Sequence, residues 1–196
     1  MINPLNLYNR KYILASKSKR RIILLKQLGL DFKVFVSDVP ELETEIHNPV
    51  YIVKNNAKNK AEKASLKFEN EIVIAADTIV HLNGKIINKP ANYLQAIDFL
   101  KRLSSKTHRV YTGVYLIDTK TGKKVCDYEK TYVKFREINK IEIEYYVKNY
   151  APYDKAGGYG IQDDFGCVFI EKIVGDYYNV VGLPLYKLYL LLNKLI

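Results

Sequence analysis

A continuous apolar run, Ile72–Ala76, does most to limit the folds open to this chain. An apolar run without polar alternation is typical of a strand covered on both faces, because a strand with one wet face alternates apolar and polar side chains. The run leads directly into Asp77 and Thr78. We therefore predict a central strand of a covered sheet that ends at, or carries, a carboxylate.

Further strands and helices alternate on either side of that strand. Strands are predicted at Tyr12–Ala15, Phe32–Val36, His108–Ile117 and Val125–Phe135, with a hairpin turn at Asn83-Gly84. Helices are predicted from a Ser16 or Ser18 cap to Gly29, and over Pro49–Phe68, Ala96–Leu103, Ile138–Val147 and from Leu185 onward. This alternation predicts an α/β fold, a mixed twisted sheet with flanking helices and a ligand cleft near the strand ends. We expect residues 1–196 to form one domain, or two lobes that share a continuous core.

Membrane and secreted classes are not expected. The longest apolar runs, such as Ile72–Ala76 and Leu188–Leu192, are far shorter than the ~20 residues that cross a bilayer. The first residues do not show a basic segment followed by an apolar one and a cleavage site, so we expect a cytoplasmic protein. Cys126 and Cys167 belong to no Cys/His cluster of the kind that binds zinc.

The formal net charge of +10 indicates anionic partners. Lysines are spread along the chain rather than clustered into a basic stripe, which favours a surface that attracts small polyanions over one that binds nucleic acid. The many tyrosines keep a nucleic-acid-binding surface open as the alternative.

The segment Ser16–Arg21 places hydroxyl and cationic side chains at a predicted helix N-terminus. Such a site favours anions, because free backbone N–H groups and the helix dipole add to guanidinium groups that grip phosphate oxygens. The competing interpretation is an exposed basic first turn, which the dipole disfavours unless an anion is bound. The chain has no Walker motif, so we do not expect ATPase-type phosphoryl transfer.

Carboxylates form the second set of candidates. Asp77 follows an apolar strand and must be hydrogen-bonded, paired or bound to metal to offset its desolvation, which makes it a candidate magnesium ligand or general base. The alternative is a structural aspartate that caps a turn. Glu41 is ranked above Glu43 and Glu45 as a second carboxylate, and Lys89 and Lys155 supply further cations.

Several short motifs occur in a fixed order along the chain. They are Leu14-Ala15-Ser16 with Arg20-Arg21, Asn56-Ala57 with Lys60-Ala61, Ala76-Asp77-Thr78, Lys89-Pro90, His108-Arg109-Val110 with Thr112-Gly113-Val114, Asp154-Lys155-Ala156-Gly157 through Gly160-Ile161-Gln162, and Val180-Val181-Gly182-Leu183-Pro184. Taken together they resemble the Maf family of nucleotide pyrophosphatases, from about Tyr12 to Leu192.

The resemblance implies two lobes around a nucleotide cleft, as in the related inosine triphosphatases, and hydrolysis between the α- and β-phosphates of a nucleoside triphosphate with Mg²⁺ or another divalent cation. Asp77 resembles the family's acceptor of the water proton and a metal ligand, and Glu41 matches an acidic residue near the metal. The residues that resemble phosphate-binding positions are Arg21, Lys60 and Lys89, with Ser16 and Ser18 nearby and Lys155 in addition. The positions associated with base choice are Arg20, Thr78 and Gln162.

The pattern Asp77-Thr78 with Gly160-Ile161-Gln162 resembles the branch that acts on dTTP and UTP, and the family makes a homodimer a possible assembly. Lys19 departs from the family, which commonly has proline there. Two alternatives stay open: a regulator of septum formation that binds nucleic acid or nucleotides, and a pyrophosphatase for non-canonical purine triphosphates such as ITP.

Overall fold

The computed structural model describes residues 10–36, 38–42, 48–162 and 165–195, which form one mixed sheet with helices packed on it. The strands are β1 (Lys11–Leu14), β2 (Phe32–Val34), β3 (Glu71–Leu82), β4 (Lys85–Ile87), β5 (Thr107–Asp118), β6 (Lys124–Phe135) and β7 (Ile170–Val174). The helices are α1 (Lys19–Gln27), α2 (Pro49–Ser65), α3 (Tyr93–Leu103), α4 (Lys140–Tyr150), α5 (Tyr177–Val181) and α6 (Leu185–Leu195). None of the helices in these ranges has the length and apolar character needed to cross a bilayer.

The sheet has seven strands, ordered β2-β1-β3-β5-β6-β7, with β4 paired to β3 outside that path. β1 runs parallel to β2 and β3, whereas all other pairs are antiparallel. The predicted mixed α/β sheet is thus confirmed. β3 continues past the apolar run to Leu82, so Asp77 lies within the strand and not at its end.

The first lobe is the half of the sheet that packs against α1 and α6. Its core joins Leu14 of β1, Ile74 of β3 and Leu116 of β5 to Leu25 and Leu188 of these two helices. The opposite face of this half is covered by α2, whose small residues pack against Ala75. The apolar run of β3 is therefore covered on both faces, as its composition predicts.

The second lobe is built on the continuation of the same strands. Val80 of β3, Val110 of β5 and Phe135 of β6 form its core with Leu100 of α3 and Tyr146 of α4. Because β3, β5 and β6 enter both cores, the two expected lobes are two halves of one sheet.

The sheet opens at one edge of β3 where the lobes meet. On this edge β1 pairs with β3 only as far as Ile74, and the Ala15 N–H donates to the Ile74 carbonyl at 2.8 Å. Pairing with β4 begins at Val80. In the described part of the chain, the β3 edge between Ile74 and Val80 is left unpaired, and we call it the open edge. Asp77 and Thr78 lie on it and point to opposite faces of the sheet.

Candidate active site

Asp77 is buried and held by two side chains of α2. Its carboxylate is 5% exposed. Oδ1 lies 2.7 Å from Nζ of Lys60, and Oδ2 accepts a hydrogen bond of 3.0 Å from Nδ2 of Asn56. Asn56 and Lys60 are four residues apart, so both side chains project from one helix face. The desolvated carboxylate is thereby compensated by one charge and one hydrogen bond.

Lys60 also joins Asp77 to a second carboxylate, Glu41. Its Nζ is 2.7 Å from Oε1 of Glu41, and Nζ of Lys89 is 3.7 Å from Oε2. Burial alone would raise the pKa of Glu41, but Lys60, Lys89 and Arg21 together hold that pKa below its ordinary value. Glu41 is therefore ionised at neutral pH. Glu43 and Glu45, which were ranked below it, lie outside the described residues.

Asn56 is a site residue to which the sequence assigned no role. Its Oδ1 accepts a 2.8 Å hydrogen bond from the backbone N–H of Leu42, next to Glu41, while its Nδ2 donates to Asp77. Asn56 therefore fixes the loop that carries Glu41 relative to Asp77. The available signal was its spacing of four residues from Lys60 on a predicted helix.

Gly113 allows α2 to lie this close to Asp77. It pairs with Asp77 across the β3–β5 ladder. A Cβ at this position would lie 2.4 Å from the backbone oxygen of Val53 on α2. Only glycine leaves room for the helix backbone here, and the same helix brings Asn56 and Lys60 to the carboxylate.

We expect Gly113→Ala to lower the free energy of unfolding by about 2–3 kcal/mol, because the added methyl group forces α2 away from the sheet. Activity should fall with it, since Asn56 and Lys60 move with the helix. Denaturant unfolding and a turnover assay measure the two effects. Gly122→Ala is the control for turnover, because its Cβ meets open space; its φ of 74° should cost about 1 kcal/mol of stability through backbone strain without displacing α2. A Gly113→Ala protein with wild-type turnover would contradict this account of the packing.

Arg21 occupies the other face of β3 and is held only by neutral acceptors. Nε donates to the Gly182 carbonyl at 2.9 Å, Nη1 to Oγ of Ser16 at 3.1 Å, and Nη2 to Oγ1 of Thr78 at 3.0 Å. Arg21 is 9% exposed, and burial lowers its pKa. Within the described ranges no carboxylate forms an ion pair with it. Each Nη carries a second hydrogen, so the site retains donors for an anion, and Asp77 and Glu41 act on the guanidinium charge only from a distance.

The two serines shape the start of α1. Ser18 is the N-cap, and its side chain accepts from the Arg21 N–H at 3.5 Å, which confirms a predicted cap. Oγ of Ser16 accepts from the Ser18 N–H at 3.2 Å as well as from Arg21. Lys17 and Lys19 are exposed, whereas Arg21 turns inward. The helix N-terminus therefore presents hydroxyl groups and one buried guanidinium at the open edge.

Thr78 is tied into a buried hydrogen-bond network. Its Oγ1 lies 2.9 Å from Oγ1 of Thr112 and accepts from Arg21. Thr112 in turn donates to the backbone oxygen of Asn179 at 3.2 Å. These bonds join β3, β5 and α5 and hold the Thr78 hydroxyl in place as an acceptor for Arg21.

The remaining predicted residues are Arg20, in the first turn of α1, and two residues in the loop after α4, Lys155 and Gln162. Arg20 pairs with Asp154 at 2.8 Å, and Lys155 lies 3.3 Å from the same carboxylate. Gln162 follows Ile161, which packs against the core of the first lobe. Gln162 makes no hydrogen bond or ion pair with the other predicted site residues in the described part of the chain. The structure thus groups Asp77, Glu41, Lys60 and Lys89, groups Ser16, Ser18, Arg21 and Thr78, and leaves Gln162 outside both groups.

The two carboxylates are donors of the kind that Mg²⁺ takes together with phosphate oxygens and water. Glu41 and Asp77 each place one oxygen 2.7 Å from the same Lys60 nitrogen, so the two acidic groups already converge on one cation. Among the described residues no cluster of three or more His, Cys, Asp or Glu could form an all-protein cage. Mg²⁺ usually takes one or two carboxylates together with substrate phosphates and water, and this donor set meets that requirement.

Comparisons with known proteins place the chain in one family. Residues 11–195 match the family described as Maf-like protein. The dTTP/UTP pyrophosphatase of Dictyoglomus turgidum is 47% identical over 186 residues, covering 94% of this chain and 96% of that protein. That of Alkaliphilus metalliredigens is 47% identical over 185 residues, covering 94% and 95%. The solved Staphylococcus aureus Ham1 protein is 16% identical with a TM-score of 0.43, over 64% of this chain and 72% of that one.

Proposed function

This chain belongs to the Maf family, and we propose that it is a nucleoside triphosphate pyrophosphatase that converts dTTP or UTP into the monophosphate and pyrophosphate. Relatives named dTTP/UTP pyrophosphatase at 42–47% identity over nearly the whole chain support the reaction and the substrates. The geometry supports it independently, since the open edge joins a buried cation site to a pair of carboxylates.

Buried Arg21 is the observation that carries the proposal. A buried guanidinium whose hydrogen bonds go to neutral acceptors is stabilised further by an anion that pairs with it directly. Phosphate oxygens suit the fork of a guanidinium. Lys89, half exposed near Glu41, and Lys155 supply further positive charge around the same edge. A polyphosphate is the anion that uses several such cations at once.

The carboxylate side supplies the chemistry of hydrolysis. The oxygen of a water molecule attacks the α-phosphorus, the bond from that phosphorus to the bridging oxygen breaks, and pyrophosphate leaves with the bond electrons. Asp77 orients or deprotonates the attacking water, while Lys60 keeps Asp77 and Glu41 side by side. Arg21 stabilises the negative charge that develops on the phosphates.

Mg²⁺, held by Glu41 and Asp77 with the substrate, would supply Lewis-acid stabilisation of the phosphate oxygens. The residues proposed for base choice are Arg20, Thr78 and Gln162. Thr78 follows Asp77 directly on β3. The proposed catalytic side chain and a side chain proposed for base choice therefore project from adjacent residues to opposite faces of the sheet.

Pyrophosphate release across dTTP, UTP, CTP, GTP, ATP and ITP, with Mg²⁺ and with a chelator, tests the proposal. We expect release from dTTP and UTP that the chelator abolishes. Release from ITP alone would establish the purine alternative instead. If no pyrophosphate is released and the protein is retained on single- or double-stranded nucleic acid in a salt-dependent way, the protein is a nucleic-acid-binding protein and not this enzyme.

A further inference from the structure

Asp154 lies between two of the candidate substrate-binding cations. Its Oδ2 is 2.8 Å from Nη1 of Arg20, and its Oδ1 is 3.3 Å from Nζ of Lys155. Its backbone oxygen also accepts a 3.2 Å hydrogen bond from Nη2 of Arg20. One residue therefore holds both arms of the Arg20 guanidinium, through its side chain and through its main chain.

This contact crosses from one lobe to the other. Arg20 stands in the first turn of α1, which packs in the first lobe, whereas Asp154 follows α4, which packs in the second. The same loop continues to Gly157, whose N–H donates to the backbone oxygen of Asn88 at 3.0 Å, next to Lys89. The loop thus contacts both α1 and the segment that leads to Lys89, and Asp154 is its link to α1.

Stability does not explain this arrangement. The Asp154 side chain is 69% exposed, whereas those of Arg20 and Lys155 are only 19% and 14% exposed. Because water screens a carboxylate this exposed, its ion pairs contribute only modestly to the free energy of unfolding. Burial alone would raise the pKa of Asp154, but Arg20 and Lys155 hold it below its ordinary value, so the carboxylate stays charged between them. The contact does fix the orientation of the two long, flexible side chains of Arg20 and Lys155.

We propose that Asp154 is a positioning residue that holds Arg20 and Lys155 in the arrangement that receives the nucleotide. The inference rests on the proposed function, because it assumes that these cations contact a nucleoside triphosphate. Asp154 touches no reacting atom and acts through its neighbours.

Asp154→Asn tests this, and the sign of its effect is diagnostic. Removing a negative charge near a polyanion should by itself tighten binding and lower KM. Loss of positioning should instead raise KM for dTTP or UTP, by about tenfold, with kcat changed less than about threefold. Asp154→Glu should restore most of the affinity. Asp98→Asn is the matched control, because Asp98 forms an exposed ion pair with Arg102 within α3.

A double-mutant cycle with Arg20→Gln shows whether Asp154 acts through Arg20. We expect the two losses to be less than additive, since a carboxylate cannot position an Arg20 side chain that is absent, and the loss that remains beyond Arg20→Gln reports on Lys155. Additive losses, an unchanged KM or a lower KM in Asp154→Asn would each overturn the inference.

Equilibrium binding of the non-hydrolysable analogue α,β-imido-dUTP separates this inference from the proposed activity. If the wild type binds the analogue but hydrolyses no triphosphate, the proposed function fails, and the same cycle in Kd still decides the role of Asp154. A wild type that does not bind the analogue would overturn the inference as well.

Discussion

Asp77→Asn is expected to reduce pyrophosphate release by about 10³-fold, within the range that removal of a general base or metal-binding carboxylate produces. Asparagine has nearly the same shape but can neither take a proton at neutral pH nor neutralise Lys60. The carboxylate of Asp77 accepts hydrogen bonds from both Lys60 and Asn56. The amide nitrogen of asparagine is itself a donor, so it would face one of these two donors and could not accept from it. The free energy of unfolding should therefore fall by about 1–3 kcal/mol, with the fold retained.

Initial rates of pyrophosphate release and thermal unfolding by circular dichroism measure these effects. Asp98→Asn makes the same chemical change on the surface of α3 and should leave both quantities at wild-type values. If Asp77→Asn kept more than about a tenth of the wild-type rate, Asp77 could not hold the central role that its position at the open edge indicates.

Lys60→Met is expected to have the next largest effect, a loss of about 10²-fold in turnover. Methionine keeps the length of the side chain and removes the ammonium group that both carboxylates share. Asp77 and Glu41 would then repel each other without their common counter-ion. We expect about 2 kcal/mol of lost stability, less than for a fully buried pair because the Glu41 side chain is 43% exposed.

The pH profile of Lys60→Met adds a second readout. Lys60 lowers the pKa of Glu41, so its removal raises that pKa. A larger fraction of Glu41 is then protonated at any acidic pH, and the acidic limb of the activity profile should move toward higher pH. Lys58→Met is the matched control, because Lys58 lies on the same helix and is exposed. An unshifted limb would mean that Lys60 does not govern the ionisation of Glu41.

The strongest sequence patterns predicted most of the fold. The apolar run of β3, the hairpin at Asn83-Gly84 and the helical spacing of α3 and α6 all correspond to observed elements. β7 and α5 were not predicted. β7 is a five-residue edge strand with mostly exposed or half-exposed side chains, and α5 is too short for helical periodicity to be visible.

The sequence could indicate those candidate site residues whose type and neighbouring residues by themselves limit the chemistry they can perform. Asp77, at the end of a covered apolar run, is such a residue, and so is the cationic start of α1. Asn56 and Asp154 were not given roles because their partners are remote in sequence, 21 residues away for Asp77 and 134 for Arg20. Gly113 was missed for the same reason, since only the strand register places it opposite Asp77.

The sharing of strands between the two cores limits how the two lobes can move relative to each other. β3, β5 and β6 are each 12 residues long, and residues along them belong to both lobes. Within the described ranges the two lobes are joined by these three strands and not by a single linker about which rigid halves could swing. A change in the angle between the lobes would instead twist these strands, and the twist would be spread over many hydrogen-bonded pairs. The angle between the lobes then depends on the elasticity of the sheet. Removing either half would cut strands on which the other half is built.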